Sequence, residues 1–410
     1  MSIINVKKAG VSGDGSHIET AEIQKVINDA TDGDTILFPC GHYVTGTLSL
    51  RSNITIILEK GAELIGSRNI EHYRDCGFYH NEMKQTTSLI YALDCENICI
   101  KGEGKIQLNG DAFMDFRKYI PSELGDAPVS LFEAEQMVVA VVKRPTQPIF
   151  FNNCKNIVIN GIEIFNSPCW TLVFSNCENI TVENIYMDNH NRIPNNDGIH
   201  CSASKNITVK NCTFLCGDDC FAATCITNWN GICENIEISD CLMSSRSAAI
   251  RFGHLESKVK NATIKNIKVI RSNRAVSIFT GDNGYVENIH FENIISDTKI
   301  HGGFWWGKGE PIVICAKDAT GTISDISFSD CLFTHESPAI ICGSDGNVNN
   351  ISFNNCRFDV QKGETHKYYL DKMDLQPNVP FLTSAPYKLG EHMYVSDADV
   401  NTNDTIFGEK

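Results

Sequence analysis

Asn179-Ile-Thr-Val-Glu-Asn-Ile-Tyr-Met, Asn206-Ile-Thr-Val-Lys-Asn-Cys-Thr-Phe and Asn235-Ile-Glu-Ile-Ser-Asp-Cys-Leu-Met are three copies of one phrase. Each alternates apolar and polar residues with period two, the spacing of a strand with one buried face, and each restarts the alternation after an Asn or Asp. The phrase returns at Asn53, Asn97, Asn156, Asn261, Asn288, Asp325 and Asn350. From Asn156 onward the successive starts lie 23, 27, 29, 26, 27, 37 and 25 residues apart. A repeat of that length, made of strands and bends with no helical pattern inside it, excludes the helical solenoids and predicts a parallel β-helix. The recurring Asn is read as structural. At the same bend of each coil its amide can stack on the one above, and Asn tolerates the left-handed backbone that a bend needs.

A third strand-like run completes each coil. Aligning Trp170-Thr-Leu-Val-Phe, Asp197-Gly-Ile-His-Cys, Asp219-Cys-Phe-Ala-Ala and Ala248-Ala-Ile-Arg-Phe puts Leu172, Ile199, Phe221 and Ile250 in one inward column. Their alternate neighbours, with Asp197, His200, Asp219 and Arg251, are then expected on one long outer face. Ahead of the repeats, Thr20-Ala-Glu-Ile-Gln-Lys-Val-Ile reads as an amphipathic helix with Ile23, Val26 and Ile27 on one side. A solenoid needs its open apolar end covered, and this helix is the expected cap. The period is lost after residue 362. The chain is therefore divided into a single β-helix domain, 1–362, and a non-repetitive tail, 363–410, packed on the helix or at a subunit contact, which leaves room for a homo-oligomer.

Composition narrows the function. The 410 residues carry 35 Lys and Arg against 50 Asp and Glu, a net charge of −15 that repels a phosphate backbone, so nucleic acid is not expected as a partner. The longest purely apolar run, Met137 to Val142, is far short of the roughly 20 residues that span a bilayer. No membrane partner is expected either. The start Met-Ser-Ile-Ile-Asn-Val-Lys-Lys has no secretory layout and is read as a cytoplasmic N-terminus. Eighteen cysteines include no Cys-x-x-Cys pair, and Cys212, Cys216, Cys220 and Cys225 fit no common zinc spacing. They are read as buried small hydrophobes in a reducing compartment, with no metal and no cofactor.

Asp197 and Asp219 stand 22 residues apart, close to one coil, and Asp218 precedes Asp219. Three carboxylates gathered on one face repel one another and raise at least one pKa. Cleaving a glycosidic bond needs one protonated carboxyl to donate to the leaving oxygen and ionised ones to activate water. The expected partner is thus an oligosaccharide.

Asn195-Asn-Asp-Gly, Gly217-Asp-Asp and Asn166-Ser-Pro-Cys-Trp-Thr resemble the polygalacturonase family, glycoside hydrolase family 28. The resemblance runs from the N-terminal Gly-Asp-Gly to roughly Asp345, and Trp305-Trp-Gly-Lys-Gly-Glu-Pro is similar to a phrase of bacterial members. It implies an all-β, right-handed parallel β-helix and an inverting hydrolase of pectin-derived, galacturonate-containing oligosaccharides, here expected to act from a chain end. By resemblance Asp218 is the general acid, and Asp197 with Asp219 holds the attacking water. Two family phrases are altered. Arg246 stands where a Gly-His-Gly histidine is expected, and Ser277-Ile-Phe279 replaces an Arg-Ile-Lys that grips the substrate carboxylate. Substrate contacts are therefore expected from Asn195, His200, Arg246 and Arg251, with Arg274 as a third arginine and Trp305 and Trp306 as a platform for a sugar ring. His200 is expected to face outward, toward the sugar or Asp219. Two rival readings are a calcium-binding β-helix lyase using Arg251 as base and a β-helix that binds carbohydrate without turnover.

Overall fold

The computed structural model describes residues 2–80, 84–119, 138–301, 307–361 and 391–409. Trp305 and Trp306 lie outside them. The chain winds as an all-β parallel β-helix. In each coil a long strand such as Lys205–Lys210 bends into a short one, Thr213–Cys216, and a turn then leads to a third, Phe221–Thr224. The third strands form an eleven-stranded ladder from Leu48–Ser49 to Met393–Ser396.

Register follows the expected columns. Leu172, Ile199, Phe221 and Ile250 are successive partners across four coils, and all four are buried. Isoleucines at 157, 180, 207 and 236 stack likewise in the long ladder. Farther along, Phe291, Phe328 and Phe353 stack with centroids 4.6 and 4.9 Å apart. Each buried side chain of this size contributes about 1.5–3 kcal/mol of hydrophobic stabilisation.

The Asn column, with Asp325 in one coil, is the hinge of the long ladder from Asn53 to Asn350. Asn156, Asn179, Asn206 and Asn235 all sit at φ between 57° and 59°. Each donates its amide to the Oδ1 of the preceding one, at 2.8, 2.9, 2.9 and 3.0 Å, starting from Asn97. One residue type thus satisfies a left-handed backbone and an amide ladder at once. Asn206→Ala loses two ladder bonds and places a Cβ residue without a local hydrogen bond in the left-handed region. Stability is expected to fall by about 1–2 kcal/mol, with Asn206→Gly intermediate because glycine removes only the bonds. Urea midpoints check this, and an Ala variant as stable as wild type would contradict it.

Cysteines sit where coils turn inward. Cys177, Cys212, Cys241 and Cys331 are buried, and each thiol donates to the carbonyl two residues before it at 3.1–3.2 Å. The helix Thr20–Asp29 covers the N-terminal end with Ile23, Val26 and Ile27 buried.

Two features were not anticipated. Met393–Ser396, Ala398–Asn401 and Ile406–Glu409 pair in parallel with Ala339–Cys342, Val348–Asn354 and Arg357–Val360, so the last stretch of the supposed tail adds a coil. Two antiparallel hairpins also leave the solenoid: Asp75–His80 with Lys84–Thr87, and Met114–Tyr119 with Val139–Val141. Both arise at the turn that leads into the third ladder.

Candidate active site

That same turn, in the following coils, carries the carboxylates. Asp197 and Asp219 lie in the turn itself, just before their strands, and not on the outer face of the strands as the alternation suggested. Parallel hydrogen bonding continues into the turn: Thr171 N donates to Asp197 O at 3.0 Å, and Gly198 N to Asp219 O at 2.8 Å. The two aspartates are therefore neighbours on adjacent coils.

Glycine makes that approach possible. A Cβ on Gly198 would stand 2.4 Å from the Cys220 carbonyl oxygen, and one on Gly217 would stand 2.5 Å from Asn196 Oδ1 and 2.7 Å from Ile193 O. The glycines of Asp-Gly and Gly-Asp-Asp are required by packing, whatever the aspartates do. Asn196 Oδ1 accepts from Gly217 N at 2.8 Å, and Asn189 Oδ1 accepts from Ser167 N at 2.9 Å.

All three carboxylates are nearly excluded from solvent. Asp218 Oδ1 accepts from Asp219 N at 3.0 Å. Burial, then the charges of Asp197 and Asp219, hold its carboxyl well above the usual carboxylate range, while Arg251 and a hydrogen bond from Ser247 pull the other way. Asp219 takes Ala248 N on Oδ1 at 3.0 Å and the Arg251 guanidinium on Oδ2. Asp197 Oδ2 lies 3.1 Å from His200 Nδ1.

Several expected substrate contacts are instead committed within the protein. His200 points outward from its strand but is fully buried. Trp170 stacks over it at 4.1 Å and the His200 Nε2 meets Thr224 Oγ1 at 3.0 Å, so the ring is bonded to Asp197 and Thr224 and closed off from solvent. Arg251 pairs with Asp219 because the two stand on adjacent coils. Arg274 is buried against Glu310 at 3.3 Å. Asn195 Oδ1 accepts from Arg144, which also donates to Pro168 O at 2.8 Å and Pro194 O at 2.5 Å, tying together the two turns around Asp197. Arg246 differs from Arg251 and Arg274. It is half-buried, bonded to His301 Nδ1, and has no carboxylate partner among the described residues. Burial and the nearby Arg271 push its pKa down to about 10.

Sequence reasoning missed Arg144, Trp170, Thr224 and Ser247 as parts of the site. Trp170 belonged to a quoted motif, but nothing marked it as the lid over His200.

The family model of Glycosyl hydrolases family 28 matches residues 34–369. The chain belongs to that family. Among curated relatives of this family 28 member, the exo-poly-alpha-D-galacturonosidase of Dickeya chrysanthemi is 30% identical over 247 residues, 53% of this chain and 41% of that protein. A probable polygalacturonase of Vitis vinifera is 23% identical over 322 residues, 72% of this chain and 61% of its own length. The chain thus spans less than two thirds of these two relatives. Among solved structures, an exopolygalacturonase from Thermotoga maritima superposes with a TM-score of 0.70 at 21% identity over 87% of each chain. A Yersinia enterocolitica family 28 exopolygalacturonase gives 0.69 at 16% identity over 99% of this chain and 75% of that one. These likenesses fix the fold as that of family 28.

Proposed function

We propose that this family 28 chain is an inverting hydrolase of galacturonate-containing oligosaccharides that acts from a chain end. The observation that carries it is the gathering of three carboxylates in one buried turn: Asp218 lies beside Asp197 and Asp219, and burial and those two charges hold its carboxyl well above the usual carboxylate range. Asp218 donates its proton to the leaving glycosidic oxygen, while Asp197 and Asp219 hold and polarise the water that attacks from the opposite face. Arg246, a desolvated cation beside a second cation and without a carboxylate of its own among the described residues, supports a substrate that brings a carboxylate. The lyase alternative is weakened because Arg251, its base, is held as a cation by Asp219.

Chain-end action is supported by the walls. Phe116, on the second hairpin, packs edge-on against His190 at 4.9 Å, and Val139 N donates to Arg192 O at 3.0 Å, so the hairpin leans on the turn that leads to Asp197. Phe78 of the first hairpin packs on Phe150 at 5.2 Å. A wall on that side of the turn favours binding of a chain end over its middle. Oligogalacturonides of defined length, digested and resolved by anion-exchange chromatography, are expected to release one short product from the first time point. An early ladder of intermediate lengths would contradict chain-end action, and no cleavage of any galacturonate-containing oligosaccharide would contradict the hydrolase reading.

A further inference from the structure

Three carboxylates share one buried site, and their surroundings differ. Asp219 has a guanidinium and a backbone N–H. Asp218 has a backbone N–H and a serine hydroxyl. Asp197 has an imidazole, His200, whose ring is fully buried, clamped in plane by Trp170 and held at its far nitrogen by Thr224. An ionised carboxylate only accepts, so in that state Nδ1 of His200 carries the hydrogen, and the Thr224 hydroxyl can then donate to a bare Nε2. With Thr224 donating, the ring is neutral, and with Thr224 accepting it is a cation; in either state Nδ1–H points at Asp197 and stabilises its charged form.

We infer that His200 is a positioning residue that decides where the site's proton resides: by donating to Asp197 it keeps that group ionised and leaves the proton on Asp218. The inference rests on the hydrolase reading. The other titratable and charged groups around this pair are Asp218, Asp219 and Arg251 on the following coils, and Arg144 with the thiols of Cys169 and Cys216 on the remaining sides. Of the two groups that the reaction needs in opposite states, Asp197 has the His200 ring against it, and Asp218 feels the charges of both Asp197 and Asp219. Without the imidazole the two compete for one proton, and the fraction of enzyme in the working state falls.

The test is the pH profile of kcat and kcat/KM of the full chain on an oligogalacturonide. Activity requires Asp197 ionised, so it is lost as pH falls through the pKa of that group; a higher pKa moves the acid limb up. His200→Leu is expected to move the acid limb up by about one pH unit and lower kcat about 10- to 100-fold, with KM changed less than about threefold. His200→Asn, whose amide nitrogen can occupy the place of Nδ1, is expected to restore the limb toward wild type. Thr224→Val, which removes the hydrogen bond at Nε2, is expected to give a smaller shift in the same direction. A purely structural role would lower the melting temperature and leave the limb where it is. If His200→Leu does not fold, Thr224→Val decides: a raised limb supports the inference and an unmoved one overturns it. Wild-type enzyme that hydrolyses its substrate while both variants keep the wild-type limb overturns the inference alone; wild-type enzyme without hydrolysis overturns the reading beneath it.

Discussion

Asp218→Asn is expected to lower kcat by about 10³-fold, within the 10² to 10⁴ that general acid catalysis contributes, with the fold intact. The substitution is close to isosteric, and its Oδ1 can still accept from Asp219 N. Because burial and the charges of Asp197 and Asp219 already push the native carboxyl toward its neutral form, a neutral amide costs little stability there. The melting temperature should therefore stay near that of the wild type or rise. Turnover on oligogalacturonides together with a thermal scan checks both halves. Near-normal turnover would remove Asp218 from the acid role.

Arg251→Ala is expected to be the next most damaging change, with kcat/KM falling by about 10². Its guanidinium lies against Asp219 Oδ2, and removing it leaves a buried carboxylate without its cation. It also draws the Asp218 pKa down, so its loss raises that pKa further. Activity needs Asp218 protonated and is lost as pH rises through its pKa; a higher pKa moves the alkaline limb of kcat/KM upward. The expected signature is thus a slower enzyme whose alkaline limb lies at higher pH, with Arg251→Lys between the two. An alkaline limb that moves down would mean that Arg251 does not act on the acid.

The solenoid was legible because its constraint is repeated. The coils from Asn53 to Asn350 need a left-handed bend, and Asn supplies it in all but one of them, where Asp325 does, with apolar partners at fixed offsets. The three aspartates were legible because 22 residues approximate one coil, which brings Asp197 beside Asp219 whatever the details of the turn. What lay beyond reach depends on the turns, where alternation no longer says which way a side chain points. Trp170 comes from the turn of the preceding coil to cover His200, so a position read as outward is buried. Arg251 was placed on the correct face, but its pairing with Asp219 depends on how far the side chain reaches across one coil. Arg144 precedes Asn195 by 51 residues and meets it only because two coils intervene. The hairpins and the coil ending at Glu409 follow stretches without period, so no count of repeats could announce them.

In the proposed mechanism Asp218 gives a proton on one side of the scissile bond while water held by Asp197 and Asp219 attacks from the other. The stereochemistry of the first product tests it most directly. Proton NMR of an oligogalacturonide digest, recorded before mutarotation scrambles the new reducing end, should show the anomer opposite to that of the bond cleaved. A first-formed product of retained configuration would mean that one of the carboxylates attacks the sugar itself, and the assignment of all three would be wrong.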